Sequence, residues 1–204
     1  MPVPSKPTRD RVVDATFKTL RAEGFSKTSA RAISARGGFA PGVIYYHFDN
    51  LEDVFLAVLE RISAARLVSY REALERAVTF GELAKVLSDL YEEDMNSGHV
   101  AAVQQVVAGA SSSPELGQQI VQRLEPWFQL AANVASRMAA QTPFASLVPA
   151  EDIGYAAVAL YLGLETVTHL DGDRSRARRL FASASAMAPL ADLLRGTLAT
   201  GRPE

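Results

Sequence analysis

The residue types that most often carry acid–base or metal chemistry are few and scattered in this chain. The three histidines lie far apart in the sequence, at His47, His99 and His169. The chain has no cysteine, which excludes disulfides, cysteine zinc sites and thiol catalysis. No glycine-rich phosphate loop, nucleophile elbow or His-Glu-x-x-His motif occurs. The sequence therefore predicts a protein that is not an enzyme and has no cofactor.

A calcium loop is the metal site that the sequence approaches most nearly. His169, Asp171 and Asp173 place three possible ligands close together. The calcium-loop pattern nevertheless fails, because Arg176 stands where it needs glycine and Ala182 where it needs glutamate. We therefore expect no metal site.

Composition is that of a soluble globular protein, with 48% hydrophobic and 22% charged residues among 204. The longest apolar run, from Ile153 to Leu164, ends at Glu165 and is shorter than the roughly 20 residues that a membrane span needs. The N-terminal residues MPVPSKPTRDR lack the apolar core of a signal peptide. We therefore expect a cytoplasmic protein without a membrane span.

Charge is distributed unevenly along the chain. The net charge is −2, yet residues 1–50 carry eight Lys or Arg against four Asp or Glu. A basic segment on an acidic remainder favours contact between the first fifty residues and a polyanion.

Apolar residues recur at spacings of three and four almost throughout, which predicts an all-α chain of about nine helices. Capping residues mark four of the predicted helix starts. These are Thr28, Asn50, Thr79 with Glu82, and Ser113. One short run, Val43–Tyr46, has strong strand propensity, so that the residues alone leave helix and strand open there.

The first fifty residues have the layout of a helix-turn-helix. A short helix ends at Gly37-Gly38 and a second short segment follows Pro41, the arrangement that places a recognition helix in the major groove of DNA. Gly38 suits the unusual φ of the turn. The apolar residues that would fix the angle between the two helices are Ile33, Phe39, Ile44 and Phe48.

The stretch VVDATFKTLRAEGFSKTSARAISARGGFAPGVIYYHFDNLEDVF resembles the N-terminal domain of the TetR family of bacterial transcriptional regulators. The resemblance runs over about residues 10–60. It implies that residues 41–48 form the recognition helix. It also implies a three-helix DNA-binding domain at 1–50 and a larger helical effector-binding and dimerisation domain at 51–204.

The same resemblance assigns roles to individual residues. Those expected against DNA phosphates are Thr28, Ser29, Arg31, Arg36 and Tyr45. Those expected against base edges are Ala40, Pro41, Gly42 and Val43, with Tyr46 and His47 along the backbone or groove wall. The family commonly has a hydroxyl residue at the position of Ala40 and a lysine at that of Leu51. Because the base-reading face is apolar, we expect it to recognise thymine methyl groups or groove shape.

The resemblance further implies a homodimer, formed through the last two helices, that binds double-stranded DNA at a palindromic operator. The run Ala156–Leu164 is apolar nearly all round, and we expect it to be buried on most sides. The middle helices are expected to enclose a small-molecule effector, with candidate residues Tyr91, Met95, Gln104, Trp127, Phe128 and Met138. Glu165 and His169, four residues apart, could pair with each other, bridge the dimer or bind a ligand, and we expect a structural pair.

The function that follows is a sequence-specific DNA-binding regulator, a repressor released from its operator by a small molecule. An alternative stays open because of Leu51 and the apolar recognition face. It is a helical dimer that binds a ligand or a protein and contacts DNA weakly or in vestigial form.

Overall fold

The computed structural model describes residues 8–110, 113–140, 142 and 147–199. Over these residues the chain forms nine α-helices and one 3-10 turn at Phe25–Lys27, with no strand. The helices are α1 (Thr8–Glu23), α2 (Ala30–Gly37), α3 (Gly42–His47), α4 (Leu51–Arg76), α5 (Phe80–Ser97), α6 (His99–Ala110), α7 (Pro114–Ala139), α8 (Ala150–Asp171) and α9 (Ser175–Ala199). The predicted all-α fold is confirmed.

The run with strand propensity is helical, since it lies within α3. Ile44 is fully buried and Phe48 is 7% exposed, whereas Tyr46 between them is 84% exposed. In a strand, alternate residues share one face, so these three side chains would all be buried or all be exposed. Residues 43–46 are therefore helical despite their strand propensity, because a helix allows Ile44 and Phe48 to be buried in the core together.

Helix boundaries follow the predicted local signals with one correction. Gly38 adopts the left-handed conformation, with φ of 67°, after α2. Asn50 Oδ1 accepts from the backbone N–H of Asp53 at 2.9 Å. Thr79 and Glu82 form the reciprocal cap of α5, with Thr79 Oγ1 accepting from Glu82 N–H at 3.1 Å and Glu82 Oε2 accepting from Thr79 N–H at 3.1 Å.

The predicted N-cap of α2 is wrong by one residue. Ser29 caps the helix, since its hydroxyl accepts from Ala32 N–H at 3.2 Å. The Thr28 hydroxyl instead donates to the carbonyl oxygen of Gly24 at 2.7 Å. The 3-10 turn at Phe25–Lys27, which the sequence reading missed, causes the difference, because it brings the Gly24 carbonyl back over Thr28.

The helices form two compact units. Unit 1 comprises Met1–Ala65 and Gly98–Arg123, and unit 2 comprises Arg66–Ser97 and Leu124–Glu204. Helices α4 and α7 therefore each contribute to both units. The sequence analysis divided the chain by function, into a DNA-binding domain at 1–50 and an effector-binding and dimerisation domain at 51–204. The two units are defined by compactness instead, so the functional division stays a prediction.

Unit 1 has one apolar core, to which α1, α2, α3, the first part of α4, and α6 contribute. Helix α6 reaches the connection between α1 and α2, where Gln105 Oε1 accepts from Phe25 N–H at 2.9 Å. A Cβ on Gly109 would lie 2.2 Å from the Phe25 ring, so that glycine is needed where α6 approaches this turn. Helix α6 thus packs as part of the N-terminal unit.

Unit 2 packs α5 against α9 and α7 against α8. Phe80 N–H donates to Asp192 Oδ1 at 2.8 Å, and the rings of Tyr91 and Phe181 are 5.4 Å apart. Helix α8 is the one described helix long and apolar enough to cross a membrane, a test that core helices of soluble proteins also pass.

The closest approach between helices of unit 2 predicts a mutational effect. A Cβ on Gly154 of α8 would lie 2.7 Å from the backbone nitrogen of Ala132. We expect Gly154→Ala to destabilise the fold by about 1–3 kcal/mol, because backbone atoms cannot give way as a side chain can. Urea unfolding followed by circular dichroism measures this.

Gly117→Ala on α7 is the matched control. A Cβ there meets nothing within 4 Å, so its free energy of unfolding should be unchanged or slightly increased by better helix propensity. Equal stability of the two variants would contradict the close packing of α7 on α8.

Candidate nucleic-acid interface and buried polar cluster

Helix α3 exposes a small aromatic surface. Tyr45 and Tyr46 of α3 are 54% and 84% exposed, which is unusual for large aromatic side chains. The His47 ring, half-buried, meets the Tyr46 ring edge-on at 4.9 Å between centroids. The buried side chain of Ile44 anchors α3 in the core of unit 1, and the opposite face of the helix is exposed.

The predicted base-facing residues fall into two groups. Ala40, Pro41 and Gly42 are exposed at the start of α3, and a Cβ on Gly42 would meet no atom of this chain within 4 Å. Val43 is half-buried and packs against the core of unit 1. The predicted base-facing residues that are open to a partner are therefore Ala40, Pro41 and Gly42.

The predicted phosphate-binding residues also differ in their surroundings. Ser29 and Arg31 are exposed at the start of α2, and the exposed Arg36 pairs with Glu23 at 2.7 Å. Thr28, by contrast, is 6% exposed and its hydroxyl hydrogen is engaged by Gly24 O. The structure thus offers the hydroxyl of Ser29, rather than that of Thr28, to a partner at this helix start.

Two arginines at the start of α1 also lie near the helix-turn-helix, and sequence reasoning did not select them. The Arg9 guanidinium lies 5.0 Å from the centroid of the Phe48 ring. Arg11 donates to the carbonyl oxygen of Gly37 at 3.4 Å. Their basic residue type was visible in the sequence, but their distance along the chain from α2 and α3 hid the contact.

An open cleft of about 360 Å³ lies beside His47 and Phe48 in unit 1. Its walls carry the acidic residues Asp49, Asp53 and Glu60 and the basic residues Arg9 and Arg123. Charges of both signs line it, so it has no clear preference for an anion or a cation.

The predicted effector residues divide between the units. Gln104 lies in α6 of unit 1, half-buried. The other five lie in unit 2. Tyr91 is fully buried and its hydroxyl donates to Thr168 Oγ1 at 2.6 Å. Met138 is 3% exposed, while Met95, Trp127 and Phe128 are half-buried.

A buried ionic cluster in unit 2 is the site that sequence reasoning missed. We call it the Arg66 cluster, and its members are Arg66 and Tyr70 of α4, Asp94 of α5, and Tyr161 and Glu165 of α8. Arg66 Nη2 donates to Glu165 Oε1 at 3.1 Å and also contacts the carboxylate of Asp94. The Tyr161 hydroxyl lies 3.1 Å from Asp94 Oδ2 and 2.6 Å from the Tyr70 hydroxyl, and Tyr70 also donates to Asp94.

The predicted pair of Glu165 with His169 is wrong. Glu165 is 1% exposed and forms its ion pair with Arg66, whereas His169 is exposed. The i,i+4 spacing allowed the pair, but the inward face of α8 meets a charge from α4 instead. The spacing of Arg66 and Tyr70, four apart on one face of α4, does not identify Glu165 as their partner.

Burial and mutual repulsion govern the ionisation of the Arg66 cluster. Burial raises the pKa of Glu165 to about 7, because the effects of desolvation and of the nearby Asp94 exceed the opposite effect of Arg66. Burial likewise raises the pKa of Tyr70 and of Tyr161. Burial alone would lower the pKa of Arg66, but its acidic neighbours hold that pKa above the ordinary value. The guanidinium of Arg66 is therefore charged near neutral pH.

Comparison with known proteins supplies the family. The profile described as "Bacterial regulatory proteins, tetR family" matches residues 12–58. The HTH-type transcriptional regulator UidR of Escherichia coli K12 is 25% identical over 116 residues, 57% of this chain and 58% of UidR. The chain is thus matched to little more than half the length of that curated relative.

Solved structures extend the likeness to most of the chain. FadR from Bacillus subtilis, in complex with stearoyl-CoA, has a TM-score of 0.73 at 16% identity, covering 88% of this chain and 96% of FadR. The multidrug binding protein EbrR, complexed with imidazole, has a TM-score of 0.62 at 25% identity, covering 88% of this chain and 96% of EbrR. The helix-turn-helix segment, residues 12–58, thus matches the TetR family of bacterial regulatory proteins, and the remaining helices share the fold of these solved structures.

Proposed function

We propose that the chain is a sequence-specific DNA-binding transcriptional regulator of the cytoplasm, a dimeric repressor that a small-molecule effector releases from a palindromic operator. The observation that carries this proposal is the surface of α3, where Tyr45 and Tyr46 are exposed on a helix anchored by Ile44. The match of residues 12–58 to the TetR family supports this proposal. The relatives are named as regulators, and we propose no enzymatic activity for this chain.

The alternative, a ligand- or protein-binding dimer with weak DNA contact, has one structural observation in its favour. Leu51, at the position where the family commonly has lysine, is half-buried against the core of unit 1. It therefore supplies no phosphate contact at the start of α4. Steep salt dependence of duplex binding favours the regulator, since phosphate contacts release counterions.

The proposed dimer rests on the outer surface of the last two helices. Nine large apolar side chains of α8 and α9 are at least 36% exposed in the single chain. They are Ile153, Tyr155, Leu160, Val167, Leu170, Leu180, Met187, Leu190 and Leu193. So much exposed apolar surface marks an interaction site, and a second copy could cover it in a symmetric four-helix arrangement. Two recognition helices would then reach half-sites about 34–36 Å apart.

The effector is proposed to bind within unit 2. FadR and EbrR were solved with chemically different small molecules, so a shared fold does not select one ligand. We propose that the site lies around Tyr91, Met95, Trp127, Phe128 and Met138, whereas Gln104, in α6 of unit 1, stays a sequence prediction. Helix α4 runs from Leu51 to Arg76 through both units. A ligand that prefers one position of α4 would shift the population of DNA-binding states.

One prediction tests the base-reading surface. Gly42→Ala adds a methyl group that meets no atom of the chain within 4 Å, so the melting temperature should not fall. Operator affinity should fall about tenfold or more, because the methyl group projects where the helix is proposed to approach the base edges. Fluorescence anisotropy with operators selected from a random duplex library measures the affinity. Unchanged affinity and sequence preference would remove Gly42 from the interface.

A second prediction tests phosphate contact at α2. Arg31 is exposed, and Arg31→Ala should weaken binding to all duplexes alike. The slope of log K against log salt should fall by about one. Arg76→Ala, an exposed arginine in the last turn of α4, is the control and should leave the slope unchanged.

A third prediction tests the dimer. Leu160→Glu places a charge on an α8 residue that is 60% exposed in the single chain. It should convert the dimer to a monomer in analytical ultracentrifugation, because an unpaired charge cannot be buried in an apolar interface without cost. Val121→Glu, at a residue 58% exposed on α7, should remain dimeric. If both variants behave like the wild type, the interface lies elsewhere.

A further inference from the structure

The open cleft of unit 1 brings charges of both signs around one space. Its volume is about 360 Å³, and all the residues that line it belong to unit 1. Small-molecule sites commonly have volumes of about 300–1,000 Å³. The charged residues of the cleft come from α1, α4, α7 and the connection between α3 and α4. They are the acidic Asp49, Asp53 and Glu60 and the basic Arg9 and Arg123.

These charges do not pair with one another. Among the described residues, no ion pair within 4.0 Å joins either arginine of the cleft to one of its three carboxylates. Arg123 Nη1 donates to the carbonyl oxygen of Gln119 on its own helix at 3.0 Å, and Arg123 Nε is buried without a hydrogen-bond partner. The Arg9 guanidinium lies 5.0 Å from the centroid of the Phe48 ring. Both guanidinium groups therefore lack a carboxylate partner within the described part of the chain.

The buried part of the cleft wall is apolar. Phe48, Leu56 and Ala57 line the cleft, and all three side chains belong to the core of unit 1. They offer contact area to an apolar group. The described Asp, Glu and His residues form no group that could hold a metal ion, so the three carboxylates are spread around the cleft. These features favour an organic molecule whose charged groups are separated.

A ligand with one kind of charge fits this wall poorly. A cation would pair with the carboxylates but would meet two guanidinium groups. An anion would pair with the arginines but would meet three carboxylates. A molecule that carries both an ammonium and a carboxylate group can pair with groups of each sign. A free amino acid is the simplest such molecule, and an apolar side chain would pack against Phe48 and Leu56.

We propose that the cleft of unit 1 binds a free amino acid with an apolar side chain, through its carboxylate to the two arginines and through its ammonium group to the acidic residues. The site is separate from the effector region proposed in unit 2, and its test requires no DNA. His47 lines the cleft and lies in the last turn of α3. A bound amino acid would therefore lie beside the helix that is proposed to read DNA.

Three probes that share a phenyl ring and differ in their charged groups test the ligand class. They are phenylalanine, 2-phenylethylamine, which lacks the carboxylate, and 3-phenylpropanoate, which lacks the ammonium group. At about pH 7, where all these groups are ionised, phenylalanine should bind at least about fivefold more tightly than either analogue. The difference should decrease at high salt, because the proposed ion pairs are partly exposed.

The three histidines of the chain allow the binding site to be located by NMR. His47 lines the cleft, His99 packs against the Phe17 ring at 5.6 Å between centroids, and His169 is exposed on α8. Their imidazole signals can be assigned with single His→Asn variants. Titration with phenylalanine should shift the signal of His47 and leave those of His99 and His169 in place.

Variants without charge assign each contact. The double variant Arg9→Gln with Arg123→Gln should weaken phenylalanine and 3-phenylpropanoate, with 2-phenylethylamine bound as before or more tightly. Asp53→Asn should weaken phenylalanine and 2-phenylethylamine, with 3-phenylpropanoate bound as before or more tightly. Glu60→Gln, which should act in the same way, is the second acidic variant should Asp53→Asn fold poorly by circular dichroism.

The controls are Arg76→Gln and Glu115→Gln, which change exposed residues outside the cleft and should bind all three probes as the wild type does. The proposal is overturned if phenylalanine binds no more tightly than its analogues, or if its binding leaves the His47 signal unshifted. Unchanged selectivity in the arginine double variant and in both acidic variants would overturn it as well. Tighter binding of one analogue than of phenylalanine would assign the cleft to a single kind of charge and refute the amino-acid class.

Discussion

The contact on which unit 2 depends is that of one guanidinium with two buried carboxyl groups. Arg66 joins α4 to Asp94 of α5 and to Glu165 of α8, so three helices meet at a single charged group. Removing the cation would leave two carboxyl groups facing each other out of water, a loss worth about 3–5 kcal/mol for a buried pair. The apolar residues around it, such as Leu67 and Leu87, can pack in several ways. The ion cluster favours one register of the three helices, as buried polar groups do in other folds.

The helix that carries Arg66 also contributes residues to the core of unit 1. Helix α4 carries Arg66 and Tyr70 in unit 2 and, in unit 1, the buried residues Val54 and Val58. Within unit 1, Gln105 of α6 accepts a hydrogen bond from Phe25 in the turn before α2, and Gly109 packs against the Phe25 ring. The core of unit 1 that holds α3 thus includes residues of α4 and α6, which lie beyond the first fifty residues.

Local sequence signals predicted much of this fold, and contacts distant in sequence account for what they missed. The caps at Asn50 and at Thr79 with Glu82 depend on residues three apart, so their spacing was enough to identify them. The choice of Ser29 over Thr28 depended on a 3-10 turn that has no strong signature. The partner of Glu165 could not be found from spacing, because Arg66 is 99 residues away and His169 satisfied the local rule equally well. The exposed candidates of α3 were identified through family resemblance, since propensity alone left Val43–Tyr46 open.

Helix α8 reverses the usual placement of polar and apolar residues, and the reversal bears on function. Its inward face carries Glu165 and Thr168, 1% and 4% exposed, while Leu160 and Leu170 are 60% and 79% exposed. A helix selected only to stabilise a single chain would place these residues the other way round. The outward leucines stay in contact with water in the isolated chain, whereas the inward glutamate is paired with Arg66. The polar groups of the inner face are therefore paired within the chain, and the outer face is the one that leaves apolar surface uncovered.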